Sequence, residues 1–215
     1  MRWNLVLAAT ILLVASHAPG SEWHLGLQGG ASSSGLSGDT PSGVSMGKQS
    51  GLVAGLIGEF CLSEDVWLSI QPMYLQRGAT TTIEVSGQTE GVEGPSVSMN
   101  YVAVPILARI VSDNKWTYVM GGLSPAFLLD AKQDEDGVTK DITSGINGFD
   151  LSANIGFGLM VPIGRPSLSF EIRYEQSILN LAGSGSEDDD NVLPLRFRSS
   201  GFLFMAGLLL PLGGK

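Results

Sequence analysis

Histidine and cysteine are nearly missing from this chain, which has two histidines and one cysteine in 215 residues. A lone Cys61 excludes an internal disulfide, and no Cys/His spacing of the zinc-binding kind is present. Cations are scarce too: 12 Lys and Arg stand against 21 Asp and Glu, a net charge of −9. Nucleic-acid binding needs Lys and Arg clustered on a face, so that class of partner is excluded. The same balance gives no general attraction to an anionic surface. Long apolar runs are missing as well. The longest, residues 5–15, falls well short of the ~20 residues that a membrane-spanning helix needs.

That run fits a secretory signal. Arg2 supplies the positive start, residues 5–15 (LVLAATILLVA) the apolar centre, and Ala18 and Gly20 the small residues before a cleavage point. Residues 1–20 are expected to be a cleaved signal peptide and 21–215 the mature domain. Without another apolar stretch of spanning length, residence in a membrane after export requires a barrel or peripheral contact. Glycine, by contrast, is plentiful, with 29 residues, against an average share of about 7%. No Gly-X-Y period exists, and glycines scattered among Val, Leu, Ile and Phe fit bent, closely paired strands.

Eight strand-like stretches follow one another: residues 22–31, 51–62, 65–77, 97–111, 116–129, 149–163, 167–181 and 200–212. Four long polar segments (32–50, 78–96, 130–148 and 182–199) alternate strictly with three tight turns. An even strand count with connections sorted by length is the signature of an outer-membrane barrel. Within the stretches the side chains alternate. Leu168, Phe170, Ile172 and Tyr174 interleave with Ser169, Glu171, Arg173 and Glu175, and Leu151, Ala153, Ile155 and Phe157 with Ser152, Asn154 and Gly156. Alternation does not say which face is inside. The signal segment, strand length and loop sorting favour apolar side chains outward and polar ones inward.

The fold class expected is therefore all-β: an eight-stranded antiparallel up-and-down transmembrane β-barrel in the outer membrane of a Gram-negative bacterium. Its long loops are external and its short turns periplasmic. Two aromatic belts are expected at headgroup depth, Trp23, Phe60, Trp67 and Trp116 at the periplasmic end and Tyr74, Tyr101, Phe149 and Phe202 at the outer end.

The stretch Tyr101-Val-Ala-Val-Pro105-Ile-Leu107 resembles the Tyr-x-x-Ile-Pro-Leu-Leu segment of the small outer-membrane barrels typified by PorT-like proteins. Tyr118-Val-Met-Gly-Gly122, Phe149-Asp150 to Gly158, and Glu171-Ile-Arg-Tyr174 with Ile178-Leu-Asn180 resemble later parts of that family, and the likeness spans residues 22–212. Ala103 departs from it, since many relatives carry an acidic residue there. So does the ending Pro211-Leu-Gly-Gly-Lys215, which lacks the terminal aromatic common in outer-membrane proteins. The resemblance implies the barrel fold and a role in secretion or cell-envelope assembly.

Eight strands leave an interior only wide enough for side chains to fill, and charges placed there must pair. The expected lumen network is Glu59, Gln71, Arg109, Asn154, Glu171, Arg173 and Glu175, with His24 and Gln28 beside it. Such a network plugs and stiffens the barrel. The acidic runs Asp134-Glu135-Asp136-Gly137 and Glu187-Asp188-Asp189-Asp190 lack EF-hand spacing and read as solvated loops. His24, the one histidine past residue 20, lies at the periplasmic end, a poor place for a base-activated nucleophile acting on outer-leaflet lipid. The expected function is that of a non-enzymatic, monomeric structural or surface-interaction barrel, without cofactor or metal. Its expected partners are outer-membrane lipid, the barrel-insertion machinery and a surface or envelope protein. A narrow small-solute channel, a lipid-modifying enzyme and a soluble lipocalin-like carrier are the alternatives.

Overall fold

The computed structural model describes residues 22–38, 44–83, 92–135, 137–183 and 197–212. The expected signal segment and the acidic run 187–190 lie outside the described residues. The strands are β1 (Trp23–Gly38), β2 (Val44–Cys61), β3 (Val66–Ile70), β4 (Met73–Ile83), β5 (Val92–Ala103), β6 (Ile106–Val111), β7 (Thr117–Glu135), β8 (Val138–Asp141), β9 (Phe149–Pro162), β10 (Ser167–Ser177) and β11 (Phe197–Pro211).

Two of the barrel staves are each broken once by proline, which has no N–H to give the ladder. The break at Gln71-Pro72 separates β3 from β4, and β2 pairs with both. The break at Val104-Pro105 separates β5 from β6, and β7 pairs with both. Backbone bonds cross the gaps, Leu56 N–H to the Pro72 carbonyl and Gln71 N–H to the Pro105 carbonyl. Counted as staves, the ring is β1, β2, β3/β4, β5/β6, β7, β9, β10 and β11. It closes because β1 pairs with β2 on one side (Trp23↔Phe60 to Ser34↔Gln49) and β11 on the other (His24↔Pro211 to Gly38↔Phe197). All these pairings are antiparallel between neighbours in the ring, so the barrel is up-and-down.

Side-chain parity is the reverse of a water-soluble barrel. On the outside Leu27 is 64% exposed and Ile155 66%, whereas inside Arg109 is 1% and Arg173 0% exposed. A continuous apolar outer wall of this size is stable against hydrocarbon and a liability in water. The inside is not uniformly polar, however. Val53, Leu75, Met99, Leu107, Leu203 and Met205 point inward among the charges, because a ring this narrow is filled like an ordinary core.

Trp67 and Tyr101 correct the expected belts. Both are buried inside the barrel, Trp67 stacked on His24 with ring centroids 4.8 Å apart and Tyr101 beneath the Arg77 guanidinium at 5.0 Å. A strand's period of two decides this: Trp67 shares a face with Ser69 and Gln71, and Tyr101 with Met99 and Ala103. The other six belt residues lie on the outer wall. Trp23 stacks on Phe60 at 6.1 Å, Trp116 is exposed near the short turns, and Tyr74, Phe149 and Phe202 stand near the long loops. Phe127 and Tyr174 join that upper level, facing Phe149 and Phe202 at 5.4 and 5.3 Å.

Much of the expected loop chain is strand. β1 runs on to Gly38 and β2 begins at Val44, so the Gly/Ser-rich segment is largely barrel wall. Ser32 and Ser34 face inward and bond backbone on β4: the Ser32 hydroxyl donates to the Gln76 carbonyl at 2.5 Å, and the Gly78 N–H donates to Ser34 Oγ at 2.9 Å. β7 likewise extends to Glu135 and turns back as β8. Beyond the wall, the Thr143 N–H donates to Asp141 Oδ1 at 2.9 Å. That bond and a second from the Thr143 side chain hold the Asp141 carboxyl below its ordinary range.

Close strand approach depends on particular glycines. A Cβ at Gly122 would overlap the Ile106 carbonyl and Leu107 Cα of β6, whereas one at Gly29 meets only the Val53 carbonyl, at 3.6 Å. Gly122→Ala is expected to cost about 1–3 kcal/mol through overpacking, and Gly29→Ala to leave stability unchanged, in urea unfolding of vesicle-reconstituted protein.

Candidate functional site

The polar side chains of the lumen network come from inward-facing residues of seven staves, and parity brings them together in two layers. Near the short turns, Glu59 of β2 forms an ion pair with Arg109 of β6, both 1% exposed. The Arg109 guanidinium lies over the Tyr118 ring, 3.5 Å from its centroid. The Tyr118 hydroxyl donates to Glu171 Oε1 at 2.9 Å, and Glu171 Oε2 accepts from Arg173 Nη2 at 2.7 Å. Arg173 Nη2 also reaches Gln71 Oε1, which accepts from Gln28 Nε2 at 3.3 Å. Two carboxylates thus meet two guanidiniums, and the layer is neutral.

The second layer lies nearer the long loops. Arg77 of β4 donates to Asp150 Oδ2 at 2.6 Å and pairs with Glu175 of β10. Arg77 Nη2 bonds Ser152 Oγ at 3.1 Å, and the hydroxyls of Ser152 and Ser177 donate to the two Asp150 oxygens. Glu175, expected in one network with Arg109 and Arg173, has its partner outside that set, in Arg77. Asn154, the Cα partner of Glu175 in the register, sits between the layers and bonds only the Ser152 carbonyl, at 3.4 Å. Arg77, Asp150, Ser152, Ser177 and Tyr118 were not expected in the network. The signal for them is parity: Arg77 shares a face with Gln71, and Asp150 with Asn154.

Both ends of the lumen are closed by side chains. At the long-loop end Leu36, Ile142, Ile146, Leu181 and Phe197 pack into one buried apolar cluster. Two loops are pinned over it by the Ile146↔Ala182 bridge and by Asn147 Nδ2, which donates to the Asn180 and Ala182 carbonyls at 2.8 and 3.0 Å. At the other end Trp67, Leu107, Val111 and Tyr118 form a second cluster. Below it is a small cavity of 180 Å³ whose lining includes His24, Glu59, Trp67, Arg109 and Lys115. His24 Nδ1 lies 3.5 Å from Glu59 Oε2. Among the described residues no three His, Cys, Asp or Glu side chains are grouped to hold a metal. Asp134 of the first acidic run instead accepts from the Thr139 hydroxyl at 2.6 Å.

Removing one partner of a buried pair leaves a bare charge, a loss of about 3–5 kcal/mol. Arg77→Met is expected to lower stability by that amount, because Asp150 and Glu175 lose their common cation. The triple variant with Asp150→Asn and Glu175→Gln is expected to recover most of it. Urea unfolding in vesicles, followed by tryptophan fluorescence, reads both values.

The family model for the outer membrane protein β-barrel domain matches residues 14–183. Among solved structures, the chain is similar to Neisserial surface protein A, at 10% identity over 89% of this chain and 98% of that one, with a TM-score of 0.46. It is similar to Ail, the attachment invasion locus protein of Yersinia pestis, at 14% identity over 89% and 99%, with a TM-score of 0.47. OprG from Pseudomonas aeruginosa follows at 10% identity over 89% and 97%, with a TM-score of 0.44. No curated protein matches. With the family match covering well over half of the chain, on a closed ring of eight antiparallel staves whose apolar side chains face outward, the chain belongs to the outer membrane protein β-barrel domain family.

Proposed function

We propose that this protein acts from its surface. It is a monomeric, non-catalytic barrel, exported with a cleaved signal peptide and inserted by the barrel-insertion machinery. Its long loops face outward and meet a surface or envelope partner, in a structural, assembly or secretion-associated role such as the PorT-like resemblance implies. The observation that carries this reading is the filled lumen. Two bonded layers of charge occupy its middle, and apolar clusters close it at both ends. A barrel so packed offers a solute no continuous path, which leaves the loops and the outer wall as the working surfaces. The interior groups support catalysis no better. The carboxylates there are already paired with guanidiniums or hydroxyls, and His24 lies at the end opposite the long loops.

Two measurements test this. The purified protein is expected to migrate differently on a gel before and after boiling, as a detergent-stable barrel does, and recovery in the soluble periplasmic fraction would overturn the membrane reading. In a planar bilayer it is expected to give no discrete conductance. Reproducible unitary steps would replace the surface role with that of a narrow solute channel.

A further inference from the structure

The outer wall is not evenly apolar. Across four neighbouring staves one row reads Gly29, Ala206, Phe170, Leu159, each opposite the next in the pairing register. The row above it holds Phe204 and Phe157, one on each side of Ile172. Small residues on β1 and β11 beside large rings on β9, β10 and β11 leave a groove of 410 Å³ in the wall. The groove lies within the face that the bilayer covers, so what fills it in the membrane is hydrocarbon.

Above it, toward the long loops, β2 and β11, the two neighbours of β1, carry cations. Lys48 on β2 lies opposite Gly35, which has no side chain to block it. Its ammonium extends across β1 to the Phe202 ring, 5.7 Å from the centroid. Arg198 lies four residues beyond Phe202 on β11, on the same outward face, and is exposed. Among the described residues neither cation makes an ion pair, whereas Lys132 on the same rim lies 3.8 Å from Asp130. From rim to mid-wall the order is therefore two cations, an aromatic level of Phe202 and Tyr174, and an apolar groove. That is the profile of one amphiphile with an anionic head.

We propose that β1, β2 and β11 carry a site for a single phosphate-bearing membrane lipid, with its headgroup between Lys48 and Arg198 and an acyl chain in the Gly29–Ala206 groove. It goes beyond the surface role proposed above and rests only on membrane residence, which the gel shift checks separately. The net charge of −9 does not oppose it, because screening confines that repulsion to about 8–10 Å, while a phosphate between two cations is held at contact distance. Gly29 is where a side chain can be added without crowding the barrel, since its Cβ would meet only the Val53 carbonyl, at an ordinary contact distance of 3.6 Å.

Native mass spectrometry of the full-length barrel in detergent, titrated with dipalmitoyl phosphatidylglycerol or dipalmitoyl phosphatidylcholine, tests the site. The wild type is expected to retain one phosphatidylglycerol, with a preference over phosphatidylcholine of about tenfold, the size that one charge-assisted contact supplies. Lys48→Glu with Arg198→Glu is expected to abolish the preference while leaving some retention. Gly29→Leu or Ala206→Leu is expected to reduce retention of both lipids, and the gel shift of each variant reports that the barrel has formed. Equal retention by wild type and both variant classes would overturn the proposal. So would full competition by glycerophosphate, which has no acyl chain, or loss of a protein dimer in place of a lipid when the groove is filled.

Discussion

Eight staves close into a ring so narrow that the chain's own side chains fill it, and most of this protein's properties follow from that width. Polar residues on the inner face have no channel of water to face, so each charge must find a partner within reach. The result is the pairing of Glu59 with Arg109, Glu171 with Arg173, and Asp150 and Glu175 with Arg77. Tyr118 bridges the members of one layer, and the serines on β9 and β10 complete the other. Where no charge is present the same space is taken by Leu75, Met99 and Leu203. A wider ring could have left these groups hydrated, and the interior would then carry a different function.

Filling the inside pushes the question of function outward. The wall that would be the core of a soluble carrier is turned to hydrocarbon, which needs no polar covering and tolerates side chains as exposed as Leu27 and Ile155. Because lipid adapts to shape, the wall can carry a dent at Gly29 and Ala206 at little cost in packing. A core would have to fill such a space. The strands also overshoot what a bilayer requires: a spanning strand needs about 9–11 residues, and β1 has 16 and β7 has 19. The surplus raises the wall at the long-loop end and places Lys48 and Arg198 beyond the aromatic level.

Parity was the most legible feature and the most easily misapplied. Reading every second residue from Ser69 reaches Gln71 and Arg77, and from Asn154 it reaches Ser152 and Asp150, so the upper ion-pair layer was within reach of the residues themselves. Residue type points Trp67 and Tyr101 to the belts, yet each shares a face with inward neighbours. A ring beneath a guanidinium satisfies Arg77 better than a ring at headgroup depth would. The Gly/Ser-rich stretch after residue 31 looked like a loop on composition alone. Ser32 and Ser34 within it face inward and bond carbonyl and amide groups on β4, a pairing that local composition does not reveal.

The order of residues by itself determined the count of staves, the alternation of long and short connections, and which residues share a face, because a strand's period is a local property. Closure of β11 on β1, the choice of Arg77 over Arg109 and Arg173 for Glu175, and the sealing of the mouth by Leu181, Ile142 and Phe197 were decided only in three dimensions. Each depends on the stagger between strands far apart in the chain. Register sets which inward side chains stand at one level, and no stretch of sequence contains it.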